Sequence, residues 1–409
     1  MKTIALYDFN WHGHHPSYLQ IFAGSLLRDK FRVILFCQHP EKIVAALGKV
    51  LSPEQMSRIE GHRIQYPPGN GSMVTALVQS FINWRQAADD LTTFQNNTGR
   101  AVDFVLFLKV EDYCRGVIPL TAVRRHFAFR WGGLFIHLDL PRQARMNLFS
   151  DRRLLLRHSL KSGLHNFSVF NLPTCRFVGT LQEDCIDDLK SAITTEVVHF
   201  PETTFEATSS ESPLVRRVQE MAQGRKIVAL LGVMDRRKGI FTFIDMARRC
   251  QERNWFFTAC GEAKNFWTSP RDLEALQEAI ASCREGNILI HPEKIADEAE
   301  LNALIKLSDA LFCVYENFPP YSSNFLTKAA LFRKPVIVGK YGLLEKRVLG
   351  FGTGKPAIPG DAGSCIQALD ELFSRGLENP QFAPYYQRNS AKYFDGLLAS
   401  LMERCLKGS

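Results

Sequence analysis

Two segments of this chain place groups that bind anions and hydroxyls directly after apolar runs. The first is Leu231-Gly232-Val233-Met234-Asp235-Arg236-Arg237-Lys238-Gly239, and the second is Tyr315-Glu316-Asn317-Phe318-Pro319-Pro320-Tyr321-Ser322-Ser323-Asn324. Each leads into a helical pattern. A loop between a buried strand and a helix start is where open α/β sheets present ligand groups. Lys238 stands just ahead of such a helix start. A diphosphate there meets free N–H groups, the positive end of the helix dipole (about +0.5 charge) and a full ammonium. Glu316 can accept hydrogen bonds from hydroxyls, and Ser322, Ser323 and Asn324 offer hydroxyl and backbone donors at the next helix start. The pair suggests one site for a phosphate and a polyhydroxylated group. It is not a P-loop, because Gly239 follows the lysine and Ile240 follows the glycine. Plainer accounts stand beside this one: a solvated lysine next to Arg236 and Arg237, and Ser323 or Asn324 as a simple helix cap.

The elements that must position these groups alternate along the chain. In the first half, strands are expected at 2–7, 32–37, 102–108 and 133–138, with helices at 17–28 and 73–94, Ser17 capping the former. The segment 201–213 is short of aliphatic residues, bounded by prolines, and looks like a linker. Alternation then restarts with strands at 226–231, 255–260, 287–291, 310–315 and 335–339. Helices at 239–252, 271–283, 297–307 and 324–332 lie between and after them, and 382–406 reads as an aromatic-rich closing helix. The expected fold class is α/β, with two Rossmann-like domains facing each other across a cleft. Residues 1–200 form the first domain and 201–380 the second, while 381–409 pack back onto the first.

Composition narrows the partners. A net charge of +8 on 409 residues fits small anionic ligands or an acidic membrane surface and argues against nucleic acid. Ten cysteines without a C-x-x-C pair point to neither zinc nor a disulfide framework, so a reducing, cytoplasmic setting is expected. Neither a signal peptide nor a spanning helix is expected. Between Arg142 and Lys161, basic residues interleave with Leu148, Phe149, Leu154, Leu155 and Leu156. That face either meets anionic lipid, at the inner face of a membrane, or lines an acceptor groove as a solvated helix.

The second half resembles the donor domain of retaining glycosyltransferases of the GT-B fold, the group-1 class called family four. Gly232 to Gly239 is similar to that family's phosphate loop and its lysine. Ser308-Asp309-Ala310 resembles the pair preceding the acidic strand, and Glu316 falls on the first glutamate of a paired motif. Ala329-Ala330, the run Lys334 to Val338 and Gly342 follow the pattern downstream. His12-Gly13-His14-His15-Pro16 looks like the family's glycine-rich loop. Two positions depart. Val233 stands where the family carries an arginine, with Arg236 or Arg237 as the replacement, and Lys328 stands where the second glutamate would be.

The resemblance implies transfer of a sugar from a nucleotide diphosphate sugar to a glycan, lipid-linked or small hydroxylated acceptor, with retention, no metal and no cofactor. Lys238 and Glu316 are the expected catalytic residues. Gly13, His14, His137, Gly232, Arg237, Ser322, Ser323, Asn324 and Lys328 join them as substrate-binding positions. The acceptor proton is expected to leave with the departing phosphate oxygen. A noncatalytic nucleotide-sugar-binding protein and a sugar-nucleotide epimerase are the alternatives.

Overall fold

The computed structural model describes residues 1–13, 15–65, 73–114, 118–136, 167–204, 209–263, 269–283, 286–316 and 322–407. The chain divides into two compact units, one comprising Met1–Pro201 with Lys392–Ser409 and the other Glu202–Ala391.

The first unit is built on a seven-stranded sheet in the order β3-β2-β1-β4-β5-β6-β7. Its strands are β1 (Thr3–Tyr7), β2 (Arg32–Cys37), β3 (Ile59–Arg63), β4 (Phe104–Phe107), β5 (Trp131–Phe135), β6 (Cys175–Thr180) and β7 (Glu196–His199). Every pairing is parallel. Central strands such as β4 (FVLF) are apolar and buried throughout because both faces are covered. In β1, Ala5 and Tyr7 enter one apolar layer and Ile4 and Leu6 the other.

The second of those layers is completed from the far end of the chain. Phe394, Leu398, Leu401, Met402 and Cys405, on the helix Ala391–Lys407, are buried in it. Phe394 meets the Phe22 ring edge-on at 4.9 Å, and Arg28 grips Asp395 through two bonds of 2.6 and 2.7 Å. Each large apolar side chain buried this way contributes about 1.5–3 kcal/mol.

The second unit has a six-stranded parallel sheet in the order β10-β9-β8-β11-β12-β13. Here β8 is Lys226–Leu231, β9 Trp255–Cys260, β10 Ile288–His291, β11 Ala310–Cys313, β12 Val336–Gly339 and β13 Gly354–Ala357. Alternate residues again serve two layers, with Val228 and Leu230 in one and Ile227, Ala229 and Leu231 in the other.

Several local expectations change. The first helix runs His15–Arg28, so Ser17 lies inside its first turn and does not cap it. Pro16 is tolerated there because the first N–H groups have no partner within a helix. In the segment expected to be a linker, residues 201–204 are buried, and Pro213 opens the helix Pro213–Ala222, capped by the Ser212 hydroxyl. The closing segment is two helices, Phe382–Arg388 and Ala391–Lys407. Phe382 and Tyr385 pack into the second unit, whereas the last helix belongs to the first. No described helix is long and apolar enough to cross a membrane.

Candidate active site

In the second sheet, β8 and β11 are neighbours at the point where the strand order reverses. Crevices at the carboxyl ends of such strands are the default ligand sites of open parallel sheets. Both segments singled out in the sequence open there.

After β8, the Gly232 N–H donates to Cys260 O at 2.9 Å and the Met234 N–H to Glu262 O at 2.9 Å, tying the loop to the end of β9. Asp235 caps a short turn, Arg236–Lys238, by accepting from the Lys238 N–H at 2.9 Å. Gly239 then takes a left-handed φ of 76° and opens the helix Ile240–Arg249. A Cβ at Gly239 would lie 2.6 Å from Val314 O, so only glycine lets the two loops approach this closely.

After β11, the Glu316 N–H donates to Arg237 O at 2.9 Å, joining the two loops backbone to backbone. The Thr242 hydroxyl donates to the Glu316 carboxylate. Lys238 lies between them, its ammonium 4.1 Å from the Tyr315 ring centroid and 5.5 Å from that of Phe325. The ammonium donates to the Tyr315 hydroxyl at 2.9 Å, and that hydroxyl stands 2.9 Å from Ser323 Oγ. An ammonium only donates, so Tyr315 accepts from Lys238, while either hydroxyl can donate in the Tyr315–Ser323 bond. Desolvation, reinforced by the neighbouring Arg237 guanidinium, lowers Lys238 to about 8, although Cys313 and Asp235 oppose the shift. Burial raises the Tyr315 phenol, which therefore stays protonated.

Ser323 occupies the N-cap position of the helix Asn324–Leu331, yet its side chain makes no capping bond and faces Tyr315 instead. Asn324 is the first residue of that helix. The Ser322 hydroxyl donates to the carboxylate of Glu202, a buried residue whose carbonyl also accepts from Thr327 Oγ1 at 2.7 Å. Lys328, on the same helix, is 2% exposed and set against the Glu298 carboxylate, with desolvation lowering it to about 8.

The structure thus joins Arg237, Lys238, Glu316 and Ser323, sets Ser322 on Glu202, and gives Lys328 a separate carboxylate. Gly232, at φ 92°, begins the first loop. Gly13, at φ 65°, belongs to the first unit, while His14, His137 and the basic segment Arg142 to Lys161 lie outside the described residues. Sequence reasoning missed Tyr315, Thr242 and Glu202 as site residues. Thr242 stands four residues beyond Lys238, a helical repeat that was readable. Glu202 reaches Ser322 across 120 positions, and no local pattern signals it.

The sequence matches no protein-family model and no curated protein. Solved structures do match. Sucrose-phosphate synthase from Thermosynechococcus elongatus aligns with a TM-score of 0.70 at 14% identity, over 100% of both chains. A glycosyltransferase from Rickettsia africae gives 0.65 at 14% identity, over 100% of this chain and 99% of that one. HepE from Anabaena, in complex with UDP-glucose, gives 0.66 at 13% identity, over 99% of this chain and 100% of its own.

The chain has the GT-B fold. Within that fold, the Lys238–Tyr315–Ser323 chain lies where the second sheet reverses its strand order.

Proposed function

We propose that this GT-B protein transfers a glycosyl group from a nucleoside diphosphate sugar to a hydroxylated acceptor, with retention of anomeric configuration. Lys238 carries the proposal. Its ammonium is desolvated against two aromatic rings at the switch point and donates to the neutral Tyr315 phenol at 2.9 Å. A desolvated cation in that position suits a diphosphate.

As the bond from the anomeric carbon to the diphosphate breaks, its electron pair leaves with the phosphate oxygen. Lys238, Arg237, Ser323 and the N–H groups of the two loops stabilise that charge. Donors fixed in advance, in a site poor in water, act far more strongly than they would in water. Glu316, oriented by Thr242 and by its own N–H bond to Arg237, accepts from hydroxyls of the donor sugar. Gly232 lets the first loop approach the diphosphate, and Ser322 and Asn324 face it from the second.

The complex of HepE with UDP-glucose makes that compound the first donor to test. The acceptor class, a glycan, a lipid-linked or a small hydroxylated molecule, is assigned to the first unit. With Lys238 as the charge-stabilising cation, the reaction needs no divalent metal, and activity should survive EDTA. The sequence between Arg142 and Lys161 would place the protein at an anionic membrane surface, which vesicle flotation tests.

The decisive experiment is Lys238→Ala with calorimetry against UDP and UDP-glucose. Loss of a charge-assisted hydrogen bond costs about 1.5–3 kcal/mol, so affinity should fall roughly ten- to a hundredfold and turnover should vanish. Unchanged affinity would remove the phosphate site from Lys238.

A further inference from the structure

The carboxyl edge of the second sheet continues past the Lys238 loops to β12 and β13, the last two strands on that side. Tyr341, two residues beyond β12, holds a left-handed φ of 71°. Among the described residues other than glycine, Lys30, Gln223, Arg333 and Asn379 share that conformation. The first three follow the ends of helices, where a left-handed residue closes the last turn, and asparagine tolerates the conformation. Tyr341 has neither reason. A bulky side chain at positive φ is an outlier, and such strain collects at functional sites.

The backbone is fixed on both sides of the strained residue. The Lys340 N–H donates to Ala357 O at 2.9 Å, and the Tyr341 N–H donates to Glu345 Oε2 at 2.6 Å. Gly339 brings the loop up to the candidate active site, since a Cβ there would lie 3.2 Å from Pro359 Cγ and 3.6 Å from Tyr315 O. Yet the ring gains little from packing. Tyr341 is 64% exposed, and Ile358, directly after the neighbouring strand, is 41% exposed. Among the described residues no ring, cation or hydrogen-bond partner meets the Tyr341 side chain. Burial would offset the strain for an inward ring, but this one is held open to solvent.

The chemistry of the surroundings selects an occupant. The face of an aromatic ring is electron-rich and attracts weakly positive C–H groups. A pyranose with equatorial hydroxyls offers such a face of axial C–H bonds, rimmed by hydroxyls. Lys340 can donate to that rim, and the second oxygen of Glu345 can accept from it. Two exposed apolar side chains are too few for a protein interface, which buries about 800 Å² on each partner.

Resting on the glycosyl-transfer reading above, we infer that Tyr341 is the platform of a saccharide-binding site on the second unit, one that holds a gluco-configured ring of a glycan away from the reacting bond. The strained backbone keeps the ring open, Ile358 widens the apolar floor, and Lys340 and Glu345 supply the polar rim. The site lies wholly within residues 202–391, and it favours a glycan over a small hydroxylated molecule as the class of substrate.

The test uses the full chain with cellotriose and maltotriose, two gluco-configured trisaccharides. Saturation-transfer NMR from aromatic protein resonances reads contact with the sugar C–H hydrogens. Calorimetry reads UDP affinity, and thermal unfolding reads stability. A stacked ring raises affinity by roughly two- to tenfold. The wild type and Tyr341→Phe should therefore show transfer to at least one trisaccharide, and Tyr341→Gly should lose it, with UDP affinity the same in all three. Glycine adopts positive φ without strain, so Tyr341→Gly should keep or raise the unfolding midpoint, which removal of a packed ring would not do. The inference is overturned by no transfer in the wild type, by undiminished transfer in Tyr341→Gly, or by a midpoint that Tyr341→Gly lowers by several degrees. A dimer that sedimentation detects and Tyr341→Gly dissolves would also overturn it, because the ring would then belong to a second copy. Saccharide binding through Tyr341 without UDP binding would count against the donor site and leave this one standing.

Discussion

If Lys238 binds the diphosphate, nucleotide affinity should depend on pH in a window set by its environment. The free protein holds this ammonium at about 8. A bound diphosphate favours the charged form and moves the value upward, toward or beyond the ordinary 10.4. Between the two values binding takes up a proton, so the dissociation constant rises tenfold per pH unit. Below about 8 the lysine is already charged and the dependence disappears. From pH 7 to pH 9 the expected loss is about tenfold, or ~1.4 kcal/mol. The second proton of a phosphate leaves near pH 6, below this window. Calorimetry with UDP at pH 7, 8 and 9, in buffers of different ionisation enthalpy, reads both the affinity and the proton uptake. Lys238→Met should bind more weakly and show neither effect. A flat wild-type profile, or a slope that persists in Lys238→Met, would refute the assignment.

Other perturbations give distinct outcomes. Glu316→Ala should reduce turnover more than UDP affinity, and equal losses would place Glu316 on the nucleotide. Gly239→Ala forces a left-handed φ on alanine and drives its Cβ toward Val314 O. The conformational term alone costs about 1–2 kcal/mol, so a denaturant-measured loss below about 0.5 kcal/mol would contradict the close approach. Phe394→Ala should destabilise the first unit by about 3–5 kcal/mol, seen as a lowered unfolding midpoint; no shift would mean that the last helix contributes little to that core.

The strands that proved legible were those buried on both faces. Ile227–Leu231 is an unbroken apolar run, and Trp255–Cys260 is interrupted only by Thr258, because helices cover both sides of the sheet. Of the outer strands, Ile288–His291 was read at 287–291, but two others were not. Ile59–Arg63 and Gly354–Ala357 hold partly exposed residues, and the latter contains a proline, so neither shows the apolar run of a central strand. Lys238 and Glu316 were readable because each closely follows a buried strand. The companions of Glu316 and Ser322 were harder to see, since Thr242 lies on the next helix and Glu202 on a segment resembling a linker.

The last helix packs into the unit that also contains the first residue, and residues 202–391 form a body of their own between its two parts. During vectorial synthesis, residues 202–391 are complete before residues 392–407 have been made. Until then Phe22 and Phe200 lack the Phe394 ring they meet at 4.9 and 5.7 Å. The unit that holds residues 1–201 is thus completed only after residues 202–391 have been made. A nascent chain halted near residue 390 would present that uncovered apolar layer to chaperones, while the hydrogen bonds described for the Lys238 loops join residues that would already have been made.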